Sequence, residues 1–318
     1  MDVSETLAAV FGSAPIGAVT PMSGGVSGAS IFRVEVGERH CVLRIEGPPS
    51  PLRNPHQYLS LRIAAEAGIA PRLIHVDETN GVIVTDFIEQ RPLSAYPGGP
   101  RALAEALGAL LARLQAAPTF PYFVDYPDIV SRLFAHVRRT GLFAAGLLDA
   151  HTERLERIRE TLVWDHAGLV SGHNDLNARN ILFDGERLWL IDWESAYRND
   201  PLVDAAILLD NLAPSPELQD ALLQAWLGRA PDGAWRARLA PIRALTRLYY
   251  AGVLLSASAT VPRTEPDTDL SAPACDAFLC DVREGGLTSR TPEAVHTLGK
   301  IYLASFLSGA PVPPLDSI

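Results

Sequence analysis

Asp175, Asn180 and Asp192 are the residues of this chain whose types and spacing could do chemistry. They lie in the run Gly172-His173-Asn174-Asp175-Leu176-Asn177-Ala178-Arg179-Asn180-Ile181-Leu182-Phe183 and its continuation Leu188-Trp189-Leu190-Ile191-Asp192-Trp193-Glu194. An aspartate, an asparagine five residues on, and a second aspartate after a short hairpin form the set that phosphoryl transfer needs. The first carboxylate can accept or orient the proton of an attacking hydroxyl. The asparagine and the second aspartate offer hard oxygen ligands to Mg²⁺. One Asp or Asn alone would be read as an acidic cap on a solvated loop. The whole pattern, H-x-D-x-x-x-x-N followed by I-D, is more than such a loop requires.

These residues need rigid support, and the flanking sequence supplies it. The apolar runs 181–183 and 188–191 are joined by Asp184-Gly185, a hairpin turn pair that would fix both metal-ligand candidates on one support. This β-rich island, 169–193, stands among helical patterns expected at 101–117, 127–140, 148–162, 216–227, 238–258 and 292–307. Upstream the texture differs. A Gly-rich turn, Ser23-Gly24-Gly25-Val26-Ser27-Gly28, separates two strand-like runs, and Ile31–Val36 alternates with period two before a turn into Cys41–Ile45. A helix follows near 57–67. Strands near 73–77 and 82–88 are joined by Asn80-Gly81. The expected fold class is α+β, in two lobes: residues 1–88 small and β-rich, residues 89–318 larger and mostly helical, with ligands between.

Composition narrows the function classes. A chain 47% hydrophobic and 20% charged has the makeup of an ordered globular protein. Its net charge of −10 disfavours a nucleic-acid partner, whose phosphates call for Lys and Arg, and suits a cationic small molecule. Cys41, Cys275 and Cys280 cannot staple a chain of this length and lack the second pair of a zinc site. The acidic N-terminus lacks the basic region of a signal peptide, and no apolar window approaches membrane-spanning length. These features point to a cytoplasmic protein away from the membrane; they assign no oligomeric state.

The catalytic run, with Asn199-Asp200-Pro201 and Asp204, resembles the kinase-like phosphotransferases over roughly 20–210, specifically the branch of aminoglycoside phosphotransferases and bacterial choline kinases. That resemblance implies a bilobal protein-kinase-like fold, ATP and Mg²⁺ as cofactors, and a small hydroxyl compound as acceptor. It implies Asp175 as the catalytic base, His173 shaping the catalytic loop, Asn180 and Asp192 on Mg²⁺, and Asp204 pinning the loop by hydrogen bonds. For the nucleotide it implies Gly24, Gly25, Ser27 and Gly28 as a phosphate loop and Arg44 against the α- and β-phosphates. The backbone of Asp86 and Ile88 would take the adenine edge.

Departures from the pattern matter for the acceptor. The helix that usually carries a Glu to pair with the phosphate-binding cation offers Gln57 instead. Choline enzymes of this branch tend to read I-D-[WF]-E-Y-A, where the Tyr helps box a quaternary amine; here that position is Ser195. Tyr197, Tyr249 and Tyr250 are the aromatic residues that could rebuild the box, and Glu194 is the candidate for the amine itself. Alternating strand geometry would turn Glu194 to the same face as Asp192. The acceptor expected is an amino alcohol of the choline or ethanolamine kind. An aminoglycoside is the alternative within the class, and an inactive nucleotide-binding pseudokinase the alternative outside it. A protein kinase is disfavoured, because Asp200-Pro201 follows Asp192 with no room for an activation loop.

Overall fold

In the computed structural model, which describes residues 3–22, 28–47 and 53–317, the chain opens with helix α1 (Val3–Phe11) and strands β1 (Ile16–Met22), β2 (Ser30–Val36) and β3 (Arg39–Ile45). Helix α2 (Gln57–Glu66) and strands β4 (Leu73–Asp77) and β5 (Val82–Asp86) follow. The strands make an antiparallel sheet in the order β1-β2-β3-β5-β4. Alternation decides which face is covered: Val34, Cys41, Leu43, Val82 and Val84 turn one way and bury themselves with Leu7 of α1. At the β4–β5 turn, Gly81 takes φ 67° and Asp77 accepts the N–H groups of Thr79 and Asn80.

The rest is mainly helical. Helices α3 (Gly99–Gln115), α4 (Tyr126–Arg139) and α5 (Asp149–Thr161) precede four short strands: β6 (Val170–Gly172), β7 (Ile181–Phe183), β8 (Leu188–Leu190) and β9 (Tyr197–Asn199). Helices α6 (Pro201–Leu212), α7 (Pro216–Leu227), α8 (Gly233–Ser258), α9 (Cys275–Glu284) and α10 (Pro292–Ser308) complete the chain. A small antiparallel sheet followed by a larger helical part is the expected fold class. Helix α2 buries Leu61 and Ala64 in the large helical core rather than with the sheet, so packing continues across residue 88. No helix among the described residues is long and apolar enough to cross a membrane.

Two helices were not expected from the sequence pattern. Helix α6 is buried almost all round, so it shows no amphipathic period, although Asp200 caps it by accepting the Leu202 N–H at 2.9 Å with Pro201 in the first turn. Helix α9 is short, and α8 starts five residues before the expected 238, at a cap formed by Asp232 on the Trp235 N–H. The Gly-rich turn expected to hold phosphates falls largely outside the described residues, which include only Gly28 of it, at φ 73°.

The α3–α7 contact depends on Gly108. A Cβ there would lie 2.3 Å from the Leu222 carbonyl oxygen and 2.9 Å from the Trp226 amide nitrogen. Alanine gains about 1 kcal/mol over glycine in a helix, but the obstacle is backbone and cannot rotate away. Gly108→Ala is therefore expected to destabilise the protein by about 1–3 kcal/mol. Urea denaturation checks this, and an unchanged midpoint would contradict the packing described.

Candidate active site

The segment that carries Asp175 leaves β6 and is bent sharply. Gly172 is tightly surrounded, since a Cβ would sit 3.0 Å from Asn174 Oδ1 and 3.3 Å from the Tyr197 carbonyl, and both would have to give. Asn174 follows in the left-handed region at φ 63°, a conformation Asn tolerates better than most residues. Asp204 of α6 holds the bend by accepting the N–H groups of His173 (2.8 Å) and Asn174 (2.7 Å), the pin expected from the sequence. The Asn174 amide then spans the loop, donating to the carbonyls of Ser195 (2.8 Å) and Tyr197 (3.2 Å) and accepting from Asn199 (2.8 Å).

This framework presents Asp175. Its Oδ1 accepts from Asn177 (2.9 Å) and from the Tyr250 hydroxyl (2.7 Å), and its Oδ2 accepts from Asn180 (2.9 Å). Burial nonetheless dominates and raises its pKa to about 6. The group is poised to take a proton near neutrality. His173 lies behind it. Its Nε2 faces the Ile191 carbonyl at 2.9 Å, an acceptor only, so Nε2 carries the proton. Its ring packs on Trp193 with centroids 4.8 Å apart. His173 thus ties the loop of Asp175 to the stretch that leads into Asp192.

The hairpin forms as expected, with Ile181↔Leu190 and Phe183↔Leu188 in register and Asp184 accepting the N–H groups of Glu186 and Arg187 in the turn. The Ile191 N–H reaches the Asn180 carbonyl at 3.0 Å, which sets Asn180 beside Asp192. Asp192 is itself left-handed, at φ 65°. The strand ends at Leu190 and Trp193–Ser195 form a 3₁₀ turn. Strand alternation is therefore not what brings Glu194 to the side of Asp192, contrary to the expectation. The left-handed turn does it.

Arg44 joins the two halves. Standing on β3 opposite Ile31 and Ile83, it pairs with Asp192 (2.9 Å), Glu194 (2.8 Å) and Glu46 (3.0 Å). Glu46, two residues after Arg44 and just past the end of β3, holds the guanidinium from the sheet side. Burial and the carboxylates of Asp192, Glu46 and Asp175 push the Glu194 pKa up, opposed by Arg44. Asn54 and Ser60 add a second seam, both donating to the Ala196 carbonyl, at 2.6 and 2.7 Å. At the end of β5 the Asp86 N–H is committed to the Arg72 carbonyl and its carboxylate to Arg39 and Arg72, so only its carbonyl could serve an adenine; Ile88 lies two residues beyond.

Glu194, Tyr197 and Tyr249 come together, lining one small cavity with Tyr126, Ser195 and Asn174. Tyr250 belongs elsewhere, on Asp175. Sequence reasoning missed Glu46, Asn54, Asn177 and Tyr126. Only Glu46 carried a local signal, its i,i+2 spacing from Arg44.

A sequence profile described as the phosphotransferase enzyme family matches residues 18–240. Protein LicA of Haemophilus influenzae is 43% identical over 54 residues, 17% of this chain. The chain matches a fifth or less of the length of such curated relatives. Among solved structures, a choline/ethanolamine kinase family protein from Mesorhizobium loti superposes with TM-score 0.65 at 20% identity, covering 95% of this chain and 92% of that one. A spectinomycin phosphotransferase in complex with ADP and spectinomycin gives TM-score 0.57 at 15% identity, covering 79% and 86%. Both likenesses are of fold.

The burial of His173 has a consequence for acid stability. Its pKa falls from 6.5 to about 4, because burial opposes the imidazolium. The unfolded chain takes up a proton below pH 6.5 that the folded chain refuses. Stability should therefore be lost as pH falls from 6.5 towards 4, at up to about 1.4 kcal/mol per unit from this group. His173→Gln, which keeps an N–H for Ile191 but cannot titrate, should flatten that slope in urea unfolding at stepped pH. Parallel slopes in the two proteins would rule the assignment out.

Proposed function

Since the chain belongs to the phosphotransferase enzyme family, we propose that it transfers the γ-phosphoryl group of ATP to the hydroxyl of a small cationic metabolite, an amino alcohol. The observation that carries this reading is the reach of Arg44. One guanidinium on the sheet pairs with both Asp192 and Glu194, so a phosphate-side cation, a metal-side carboxylate and an acceptor-side carboxylate meet beside Asp175. The choline/ethanolamine kinase family protein and the ADP-bound spectinomycin phosphotransferase, as structures of the same fold, support a nucleotide donor and a small acceptor.

In this reading Asp175 accepts the acceptor hydroxyl's proton as the oxygen attacks phosphorus. Asn177, Asn180 and Tyr250 orient the carboxylate, and His173 positions the loop behind it. Asn180 and Asp192 would hold Mg²⁺. Their fit is judged by donor chemistry: both offer hard oxygens, and Asp192 Oδ1 is buried with an ion pair but no hydrogen bond. No cluster of three or more His, Cys, Asp or Glu forms a self-contained metal site among the described residues, which suits an ion that draws its other ligands from phosphate and water. Bound there, Mg²⁺ would neutralise charge on the transferring phosphates. Arg44 would turn its fork to the phosphates, with Gly24, Gly25, Ser27 and Gly28 as the covering loop and the Asp86 carbonyl and Ile88 amide at the adenine.

Glu194, with Tyr197 and Tyr249 as aromatic walls, would take the cationic end of the acceptor. The small cavity these residues line favours a compact amine over an aminoglycoside. A pseudokinase reading has little support, because Asp175 and Asn180 keep the hydrogen bonds that orient them and Asp192 keeps its ion pair with Arg44.

Asp175→Ala is expected to lower turnover by about 10²–10⁴-fold while leaving ATP affinity largely intact; near-normal turnover would remove Asp175 from the chemistry. Glu194→Gln should raise KM for an amine acceptor by about tenfold and KM for ATP much less. Steady-state kinetics with each substrate varied in turn decide this. A neutral sugar as best acceptor, with a salt-independent KM, would contradict the cationic reading.

A further inference from the structure

Asn177 and Asn180, which donate to Asp175, belong to its own loop, whereas the Tyr250 hydroxyl reaches it from α8, at 2.7 Å. A hydroxyl at the end of a ring holds a carboxylate only as well as the ring itself is held. The Tyr249 ring packs beside that of Tyr250, but it stands on the same helix and moves with it. Tyr302 comes from α10. Its buried ring meets that of Tyr250 edge to face, with centroids 6.1 Å apart and planes at 69°.

The seam between α8 and α10 decides that Tyr302 arrives there. At one end Ser258 Oγ lies 3.1 Å from His296 Nδ1. One turn along α10, Gly299 lets the helices close, since a Cβ there would sit 2.8 Å from the Leu255 side chain. A further turn brings Tyr302 to Tyr250, so α8 is met in reverse order at Ser258, Leu255 and Tyr250. The far end of the Tyr302 ring is tethered as well. Its hydroxyl donates to the Pro313 carbonyl at 3.0 Å, and the segment that supplies Pro313 is seated by the Leu315 N–H on Asn211 Oδ1, also at 3.0 Å. Asn211 stands on α6, the helix that carries Asp204.

We propose that Tyr302 is a positioning residue for Asp175: its ring, seated by the α8–α10 seam, holds the Tyr250 ring so that the Tyr250 hydroxyl stays on Asp175 Oδ1. Tyr302 itself meets no reacting atom. Both tyrosines follow residue 240, where the family match ends, so likeness to the family does not supply this support. The role rests on Asp175 being the base of the proposed reaction, and it deepens that reading. The carboxylate is oriented from a helix pair remote from it in sequence.

The test is a double-mutant cycle in the full chain, with ATP as donor and 2-aminoethanol as acceptor. Tyr302→Leu, which removes the ring, should lower kcat about tenfold and change KM for either substrate by less than about twofold. Tyr302→Phe, which keeps the ring, should recover most of that loss. Tyr250→Phe takes the hydroxyl off Asp175, and in that background Tyr302→Leu should cost no further turnover. A merely structural role lowers the active fraction by the same factor in both backgrounds. That result would overturn the proposal, as would an unchanged kcat in Tyr302→Leu. If the leucine variant does not fold, Tyr302→Met fills the space without a ring and carries the same expectations. Amide hydrogen exchange gives a readout that needs no turnover. At Asn177 and Asn180 it should quicken about tenfold in Tyr302→Leu or Tyr250→Phe, and no further when the two are combined. Unchanged exchange, or factors that multiply in the double variant, would equally sink the idea. A wild type that transfers nothing to 2-aminoethanol would contradict the proposed acceptor instead, and exchange alone would then judge Tyr302.

Discussion

Three carboxylates, Asp175, Asp192 and Glu194, are brought into one half-buried cleft, and like charges at such range repel. The structure meets that constraint with Arg44, which stands 2.9 Å from Asp192 and 2.8 Å from Glu194. Glu46 anchors the other side of the guanidinium at 3.0 Å and is itself within 3.3 Å of Arg53. A surface ion pair of this kind would contribute little. Here the cation is mostly buried and multiply paired, so it joins the sheet to the helical part and balances the site's charge together. A phosphate-bearing ligand that draws Arg44 towards itself would release both acidic groups for the work proposed for them.

The second constraint is backbone geometry. Asn174 and Asp192 both hold positive φ, and each strained turn is over-determined by its surroundings. Asp204 fixes the first through two N–H groups. The second follows an Ile191 whose N–H and carbonyl are both engaged, by the Asn180 carbonyl and His173. Asn54 and Ser60 converge on the Ala196 carbonyl just beyond. Asp175 and Asp192 are thus carried on or beside turns that have little freedom to relax, which is the rigidity the proposed chemistry would need.

The expectations that held were those with local causes. Asp184-Gly185 and Asn80-Gly81 announced their hairpins, because few residues tolerate the conformations those turns need. The apolar runs on either side of Asp184-Gly185 announced, for a similar reason, the hairpin that Asn180 and Asp192 flank. What stayed hidden depends on distant partners. Tyr250 is 75 residues from Asp175, and Arg44 is 150 residues from Glu194. Helix α6 escaped because burial on every side erases the amphipathic period that betrays a helix. The expectation that Glu194 shares a strand face with Asp192 failed on a left-handed turn that no period reveals. Domain limits at residue 88 stay a proposal, since α2 packs with the helical core.

The central claim, that Asn180 and Asp192 receive a magnesium nucleotide beside Asp175, is tested most directly by calorimetry of ATP binding with and without Mg²⁺. The account predicts that Mg²⁺ tightens ATP binding to the wild-type protein, and that Asp192→Asn, isosteric but uncharged, removes most of that enhancement. An enhancement of the same size in the variant would contradict it and separate the hairpin carboxylate from the metal.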